Sequence, residues 1–192
     1  MARHNLVTRT LGKSSDLAKD KSGSVAVEFS IVAIPFLSIV FASLEIGWFY
    51  FVNAAIDAVT LEASREIRTG FPQESGLDSE GFYDEVCPKL SLFGECRDIL
   101  TVEVTTFDDF ATLAADTSPP TCADEDPETL ANIDYEPGAD NEIVRLRICL
   151  IYKTLNLKLG ADLSKTGDGR RKVTSSYIFR NEPFSRNETP GG

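Results

Sequence analysis

From Ser24 to Ile56 the chain is apolar at almost every position, and its only charged residues are Glu28 and Glu45. Between those two lie the sixteen uncharged residues 29–44, and the run continues through Trp48, Phe49 and Tyr50 to Ile56. A helix needs about 20 such residues to cross a bilayer, and aromatic residues at the far end suit a membrane interface. The run is too long for the apolar part of a cleaved secretory signal, and Glu45 stands where a small-residue cleavage site would be expected. The pattern predicts a spanning helix with the remainder of the chain exported.

Beyond the apolar run the helical spacing persists. Ala54, Ala55, Ile56, Val59, Leu61, Ala63 and Ile67 alternate with Asp57, Glu62, Arg65 and Glu66, and Gly70 and Pro72 then supply a stop. The expected helix runs from Val25 to about Thr69, about 45 residues and roughly 65–70 Å at 1.5 Å per residue. A simple anchor would need less than half of that. Pro35 removes one backbone donor and is expected to kink or open the helix near Ile31.

After Gly70 the pattern changes. Phe82 to Leu92 is amphipathic, and three segments read as strands: residues 99–107, 142–152 and 173–179. In the second, Val144, Leu146, Ile148 and Leu150 alternate with Arg145, Arg147 and Cys149, the period-two signature of a half-buried strand. An acidic loop, residues 119–127, lies between the first two strands. The expected fold is α+β: a long N-terminal transmembrane helix, then a small antiparallel sheet packed on the outer part of that helix. The expected organisation is a leader at 1–23, the helix at 24–70 and an exported domain at 71–192.

Charge gives this arrangement a direction. Five of the 19 basic and two of the 30 acidic residues fall in positions 1–23, which leaves 14 basic and 28 acidic residues for the rest. A basic head before an apolar run and an acidic body after it predict a cytoplasmic N-terminus and an exported body. An acidic body also argues against a nucleic-acid partner, since phosphate contacts need clustered cations.

The four cysteines, Cys87, Cys96, Cys122 and Cys149, all lie in the body. Their spacing matches no zinc or redox motif, and the chain has a single histidine, His4. No metal site or cofactor is expected, and disulfides are the natural reading for a small exported domain. The expected connectivity is a local Cys87–Cys96 pair closing a short loop, with Cys122–Cys149 tying the acidic loop to the second strand.

No catalytic constellation is present. His4 lies in the leader, so Ser–His or Cys–His chemistry has no base in the body. Asp108–Asp109 and Asp124–Asp126 offer oxygen ligands of the kind calcium takes, without EF-hand spacing. Arg170–Lys172, after a Gly–Asp–Gly turn, reads as the flank of a hairpin rather than a lipid or DNA site. The chain is not expected to be an enzyme.

Two charges sit where the solvent is wrong for them. Glu28, five residues past Gly23, lies inside the inner edge of the apolar run, where a carboxylate usually has a partner. Cutting after Gly23 would leave an ammonium at Ser24 about one helical turn from Glu28, and the two attract strongly in low dielectric. Glu45 falls about 26 Å further along the helix. It either reaches the outer headgroups or joins a helix–helix contact that Gly47 would let come close.

The order Gly23, four residues, Glu28, Phe29 and an apolar helix resembles the prepilin-peptidase site of type IV-type pilins. More narrowly, residues 20–70 resemble the TadE-like family of the tight-adherence (Tad) pilus system. The likeness is carried by Gly23, Ala26–Phe29, Pro35, Leu44–Gly47, Ala54–Ala55 and Ala63–Arg65. Residues 179–184 resemble a closing segment of such proteins. The resemblance implies a minor pilin or pseudopilin cut between Gly23 and Ser24 by a prepilin peptidase and needed for pilus assembly and adhesion. It gives Glu28 and Phe29 a part in processing or assembly. The implied partners are the peptidase, other Tad pilins, inner-membrane assembly proteins and membrane lipid. The implied location is the bacterial inner membrane, with the C-terminal domain in the periplasm. The alternative is an uncleaved single-pass protein whose exported domain binds a ligand or partner.

Overall fold

The computed structural model describes residues 23–155 and 169–184. The leader as far as Ser22, with His4, lies outside the described residues. The elements, in chain order, begin with α1 (Ser24–Arg68), α2 (Phe71–Ser75), α3 (Ser79–Leu90) and a 3-10 turn (Ser91–Phe93). There follow α4 (Cys96–Ile99), β1 (Leu100–Phe107), α5 (Phe110–Ala115), α6 (Pro127–Ala131), β2 (Ile143–Lys153) and β3 (Arg170–Arg180). The architecture is α+β, with a three-stranded antiparallel sheet in the order β1-β2-β3.

Helix α1 is 45 residues long and passes through Pro35 without ending. Its inner half is exposed at nearly every apolar side chain, and none of its most apolar 18-residue stretch is buried inside the protein. A helix of this length and composition can cross a membrane. The hydroxyls within the run are satisfied locally: Ser30, Ser38 and Ser43 donate to the carbonyls four residues before, at 2.7–2.8 Å. The outer half is different. Val52, Ile56, Val59, Ala63 and Ile67 recur at spacings of three and four and form one buried stripe.

That stripe packs on the sheet and on Phe82, Val86 and Leu90 of α3. Alternation along the strands puts Val102 and Val104 of β1, Val144, Leu146, Ile148 and Leu150 of β2, and Val173 of β3 on this face. β3 runs in the same direction as α1. Arg171 stacks over Phe49 at 4.4 Å, Ser175 donates to Asp57 at 2.6 Å, and Glu182 pairs with Arg68 at 2.8 Å.

The other face of β2 departs from the expectation of a half-buried strand: every residue from Ile143 to Tyr152 is buried. The chain between β1 and β2 roofs it. Arg145 donates to Asp116 at 2.6 Å, Arg147 pairs with its cross-strand neighbour Glu103 and donates to the Ser118 carbonyl at 2.8 Å, and Thr101 donates to the Thr121 carbonyl. Cys149 is bonded to Cys122 beneath the same roof, and Cys87 to Cys96 beside α3; these are the two pairs expected from the sequence. The arginines that read as solvent-facing are therefore interior groups with acidic and carbonyl partners.

β3 also differs, beginning three residues before Val173. Arg170, Arg171 and Lys172 pair with Lys153, Tyr152 and Ile151, so they flank the β2–β3 hairpin as expected and are already part of its strand. Long cationic side chains suit an edge strand because their stems cover apolar surface while their heads stay in water.

The C-terminal segment closes the far end of α1. Gly70, at φ +85°, turns the chain, and the Phe184 ring occupies the space where a side chain at Gly70 would stand. Asn181 donates from its side chain to the Pro137 and Ala139 carbonyls, and the Glu182 N–H donates to the Arg68 carbonyl.

The Glu103–Arg147 pair offers a direct test of the roof. Removing one partner of a buried pair leaves an uncompensated charge and costs about 3–5 kcal/mol, whereas apolar replacement of both is near neutral. Denaturant unfolding should show Glu103→Ala strongly destabilised and Glu103→Leu/Arg147→Met close to the parent. Equal losses in both variants would show that the charges themselves hold the roof.

Candidate functional site

The residues singled out at the inner end of α1 share one exposed helical start. Gly23 precedes the first turn at φ −85°, and the Val27 N–H donates to the Gly23 carbonyl at 3.2 Å. Nothing stands within 4 Å of where a Gly23 side chain would be. Ser24 and Glu28 lie four residues apart and hence on one face. Phe29 is 72% exposed. Glu28 makes no hydrogen bond or ion pair among the described residues. An open glycine, a carboxylate one turn on and an exposed apolar surround are chemically suited to cleavage and to pairing with another chain.

Glu45 and Gly47, expected to share a helix contact, are separated by the structure. Glu45 lies seven residues before Val52, on the stripe that faces the body, and is only 5% exposed. It does not reach outward to headgroups, because the helical period turns it beneath the sheet. Its charge is felt by Tyr152, whose hydroxyl is pushed up in pKa by burial, with Glu45 adding to the rise and Arg171 opposing it. Gly47 faces the open side, with nothing within 4 Å of a side chain placed there.

Three of the acidic residues weighed as calcium ligands, Asp109, Asp124 and Asp126, have other partners. Asp109 caps α5, accepting from the Thr112 N–H at 2.7 Å, and Asp126 caps α6, accepting from the Glu128 and Thr129 N–H groups. The Thr112 N–H holds the Asp109 carboxyl below the usual aspartate range, and the Thr129 hydroxyl, followed by the Thr129 N–H, does the same for Asp126. Asp124 pairs with Lys172 at 2.7 Å. Among the described residues no three metal-ligating side chains converge.

A cleft of about 530 Å³, which the sequence did not reveal, opens beside the free edge of β1. Its walls include Tyr83, Arg97, Val102, Leu130 and Tyr135. Tyr135 sits there because the Val104 N–H donates to the Asp134 carbonyl and the Glu136 N–H to the Val104 carbonyl, a short parallel bridge. Arg97 is held by Glu80 at 3.0 Å and lies over the Tyr83 ring. The cleft offers tyrosine hydroxyls and the Arg97–Glu80 ion pair at its rim.

Similarity to known proteins places the likeness on the helix. Residues 23–65 match the sequence model of the family described as TadE-like protein. That segment is TadE-like. The match covers Gly23, Glu28, Phe29, Glu45 and Gly47 and most of α1, and it agrees with the resemblance read from those residues. No curated protein and no solved structure is similar to the chain. The TadE-like segment thus holds the exposed inner run and most of the buried stripe, while the sheet, disulfides and cleft lie outside it. With a helix long enough to span and this family likeness, the chain is a membrane-anchored protein.

The cleft tyrosines give a measurable signature. Burial, helped by the charge of Asp78, pushes Tyr135 up to about 12 from 10.0. The neutral phenol is favoured in the folded state, so this stability is complete below pH about 10 and is lost as pH rises toward 12. An ultraviolet titration of the folded protein should show late-ionising tyrosines, Tyr83 and Tyr152 among them, whose last phase disappears in Tyr135→Phe; an unchanged last phase would place it elsewhere.

Proposed function

We propose that the chain is a minor pilin or pseudopilin of a Tad-type pilus, cut after Gly23 by a prepilin peptidase and required for pilus assembly and adhesion. The observation that carries this reading is the division of one TadE-like helix into an exposed apolar half and a half buried in the folded body. Such a helix can exchange lipid for the helices of neighbouring subunits without unfolding the body. In this reading residues 1–23 remain cytoplasmic, residues 24–70 form the helix, and residues 71–192 form the periplasmic domain.

Glu28 has a distinct part in the mechanism. Cleavage between Gly23 and Ser24 produces an ammonium, and Glu28, exposed and unpaired among the described residues, offers the matching carboxylate. Pairing within one chain or between neighbours neutralises both charges in an apolar setting and fixes the axial register of adjacent helices. Phe29 lies beside it and contributes apolar contact to the peptidase or to the next helix. Gly47, on the open side of α1, allows close approach of a neighbour. Partners are the peptidase, other Tad pilins and inner-membrane assembly proteins.

The β1-edge cleft supports a second reading, an uncleaved single-pass protein whose exported domain binds a ligand or partner.

Mass spectrometry of the mature N-terminus, from cells with and without the peptidase, separates the two. The pilin reading expects Ser24 as the first residue only where the peptidase is present; retention of residues 1–23 in both strains overturns it. Glu28→Gln keeps the shape and removes the charge. Membrane insertion should be normal and assembly about tenfold or more below the parent, the factor that about 1.4 kcal/mol of lost pairing represents. Unaltered pili would remove Glu28 from the registration step.

A further inference from the structure

The base of the folded body lies against α1 at the level where the apolar run ends. Residues Ser24–Leu44 rise about 30 Å, the thickness of a hydrocarbon core, so the outer boundary falls at Glu45–Trp48. At this level Trp48 donates its indole N–H to the Lys153 carbonyl at 3.3 Å and packs against Phe93 at 5.8 Å between ring centres. Phe51 meets the same Phe93 ring at 6.0 Å, and Arg171 covers Phe49. The 3-10 turn Ser91–Phe93, the end of β2 and the start of β3 are thereby brought to the plane of the interface. Two apolar side chains project there, Leu92 at 71% exposed and Leu155 at 46%.

The same base gathers the cations of an otherwise acidic body. Lys153, Arg170, Arg171 and Lys172 lie together at paired positions of β2 and β3. Most other cations of the described body are held away from this level: Arg145 and Arg147 under the roof, Lys89 with Glu62 and Glu66, Arg97 with Glu80, Arg68 with Glu182. Acidic groups lie at this base too, and Glu45, Arg170 and Arg171 each have a partner in the structure. Glu45 is buried, and Asp124 neutralises part of Lys172.

We infer that the base of the body is a foot that binds the surface of an anionic phospholipid bilayer, with Leu92 entering the interface and Lys153 and Arg170–Lys172 facing headgroup phosphates. The inference rests on α1 spanning the membrane. Charge complementarity and continuity with the apolar run of α1 select lipid as the occupant: clustered cations beside a spanning helix attract anionic headgroups, and aromatic side chains favour the same layer. The foot holds the acidic body down on the bilayer until α1 leaves it, so that departure must break these contacts as well as the burial of the apolar run.

The full oxidised chain, reconstituted in vesicles, tests this with an environment-sensitive fluorophore on one added cysteine; among the described residues every native cysteine is in a disulfide. Labels are placed by Leu92→Cys at the foot, Leu37→Cys within the apolar run and Ser75→Cys on α2, with quenching by spin-labelled lipid as the readout. The Leu37 label should be quenched in any vesicle and the Ser75 label in none. The Leu92 label should be quenched about threefold more in phosphatidylglycerol-containing vesicles than in phosphatidylcholine alone, and about 0.5 M salt should remove the difference. Lys153→Glu/Arg170→Glu should remove it as well, the salt arm serving if that variant misfolds. An unquenched Leu92 label with a quenched Leu37 label overturns the foot and leaves the anchor intact. An unquenched Leu37 label overturns both. Equal Leu92 quenching in the two lipids and at high salt overturns the role of the cations.

Discussion

The outer half of α1 is packed into the body by one stripe, Val52, Ile56, Val59, Ala63 and Ile67, and nearly everything else depends on that burial. Each fully buried Val or Ile contributes about 1.5–3 kcal/mol relative to exposure, so these contacts make helix and sheet a single cooperative unit. Among the described residues the three strands have no other large apolar partner on this face except α3, which itself leans on the helix. A sheet of three strands needs such a cover to be stable. Because the helix continues without a break into the exposed run, whatever moves the inner half carries the body with it.

The second face of the sheet is closed by different means. The segment between β1 and β2, which includes the short helices α5 and α6, is held there by Arg145–Asp116, by Arg147 with Glu103 and Ser118, and by the Cys122–Cys149 bond. Asp116 is held well below the usual carboxylate range by bonds from Ser118 and then by Arg145. A carboxylate depressed in this way supports the fold above its ordinary titration range and loses that support only as pH falls through its folded value. The roof therefore favours neutral conditions over acid, and its disulfide fits an oxidising compartment.

These two closures leave different surfaces for interaction. Among the described residues the helical start around Gly23 and Glu28 is exposed, and the Gly47 side of α1 is open above it. Glu45 belongs instead to the body. The β1 edge is protected at Val104 by residues 134–136, and the cleft begins where that protection stops. Cations collect at the base of the sheet while the body is acidic as a whole, so its electrostatic face toward a membrane differs from its face toward solution.

The sequence by itself determined the long helix, its apolar inner half and the three strands, because each depends on local periodicity; it favoured the observed cysteine pairs among three possible connectivities, and the structure decided them. The sequence also placed Gly23, Glu28 and Phe29 within the first two turns of one helix, a closeness along the chain that needs no tertiary contact. Tertiary structure decided what covers what. Arg145 and Arg147 alternate with apolar residues as solvent-facing positions would, and only the returning segment with Asp116 and Ser118 makes them interior. Arg170–Lys172 reads locally as a turn flank, and only the ladder with β2 makes it strand. Glu45 carries the period of the buried stripe, yet burial could be assigned only once the sheet was known to end above it. Periodicity fixes which residues share a face; the fold of the distant chain decides whether that face meets lipid, water or protein.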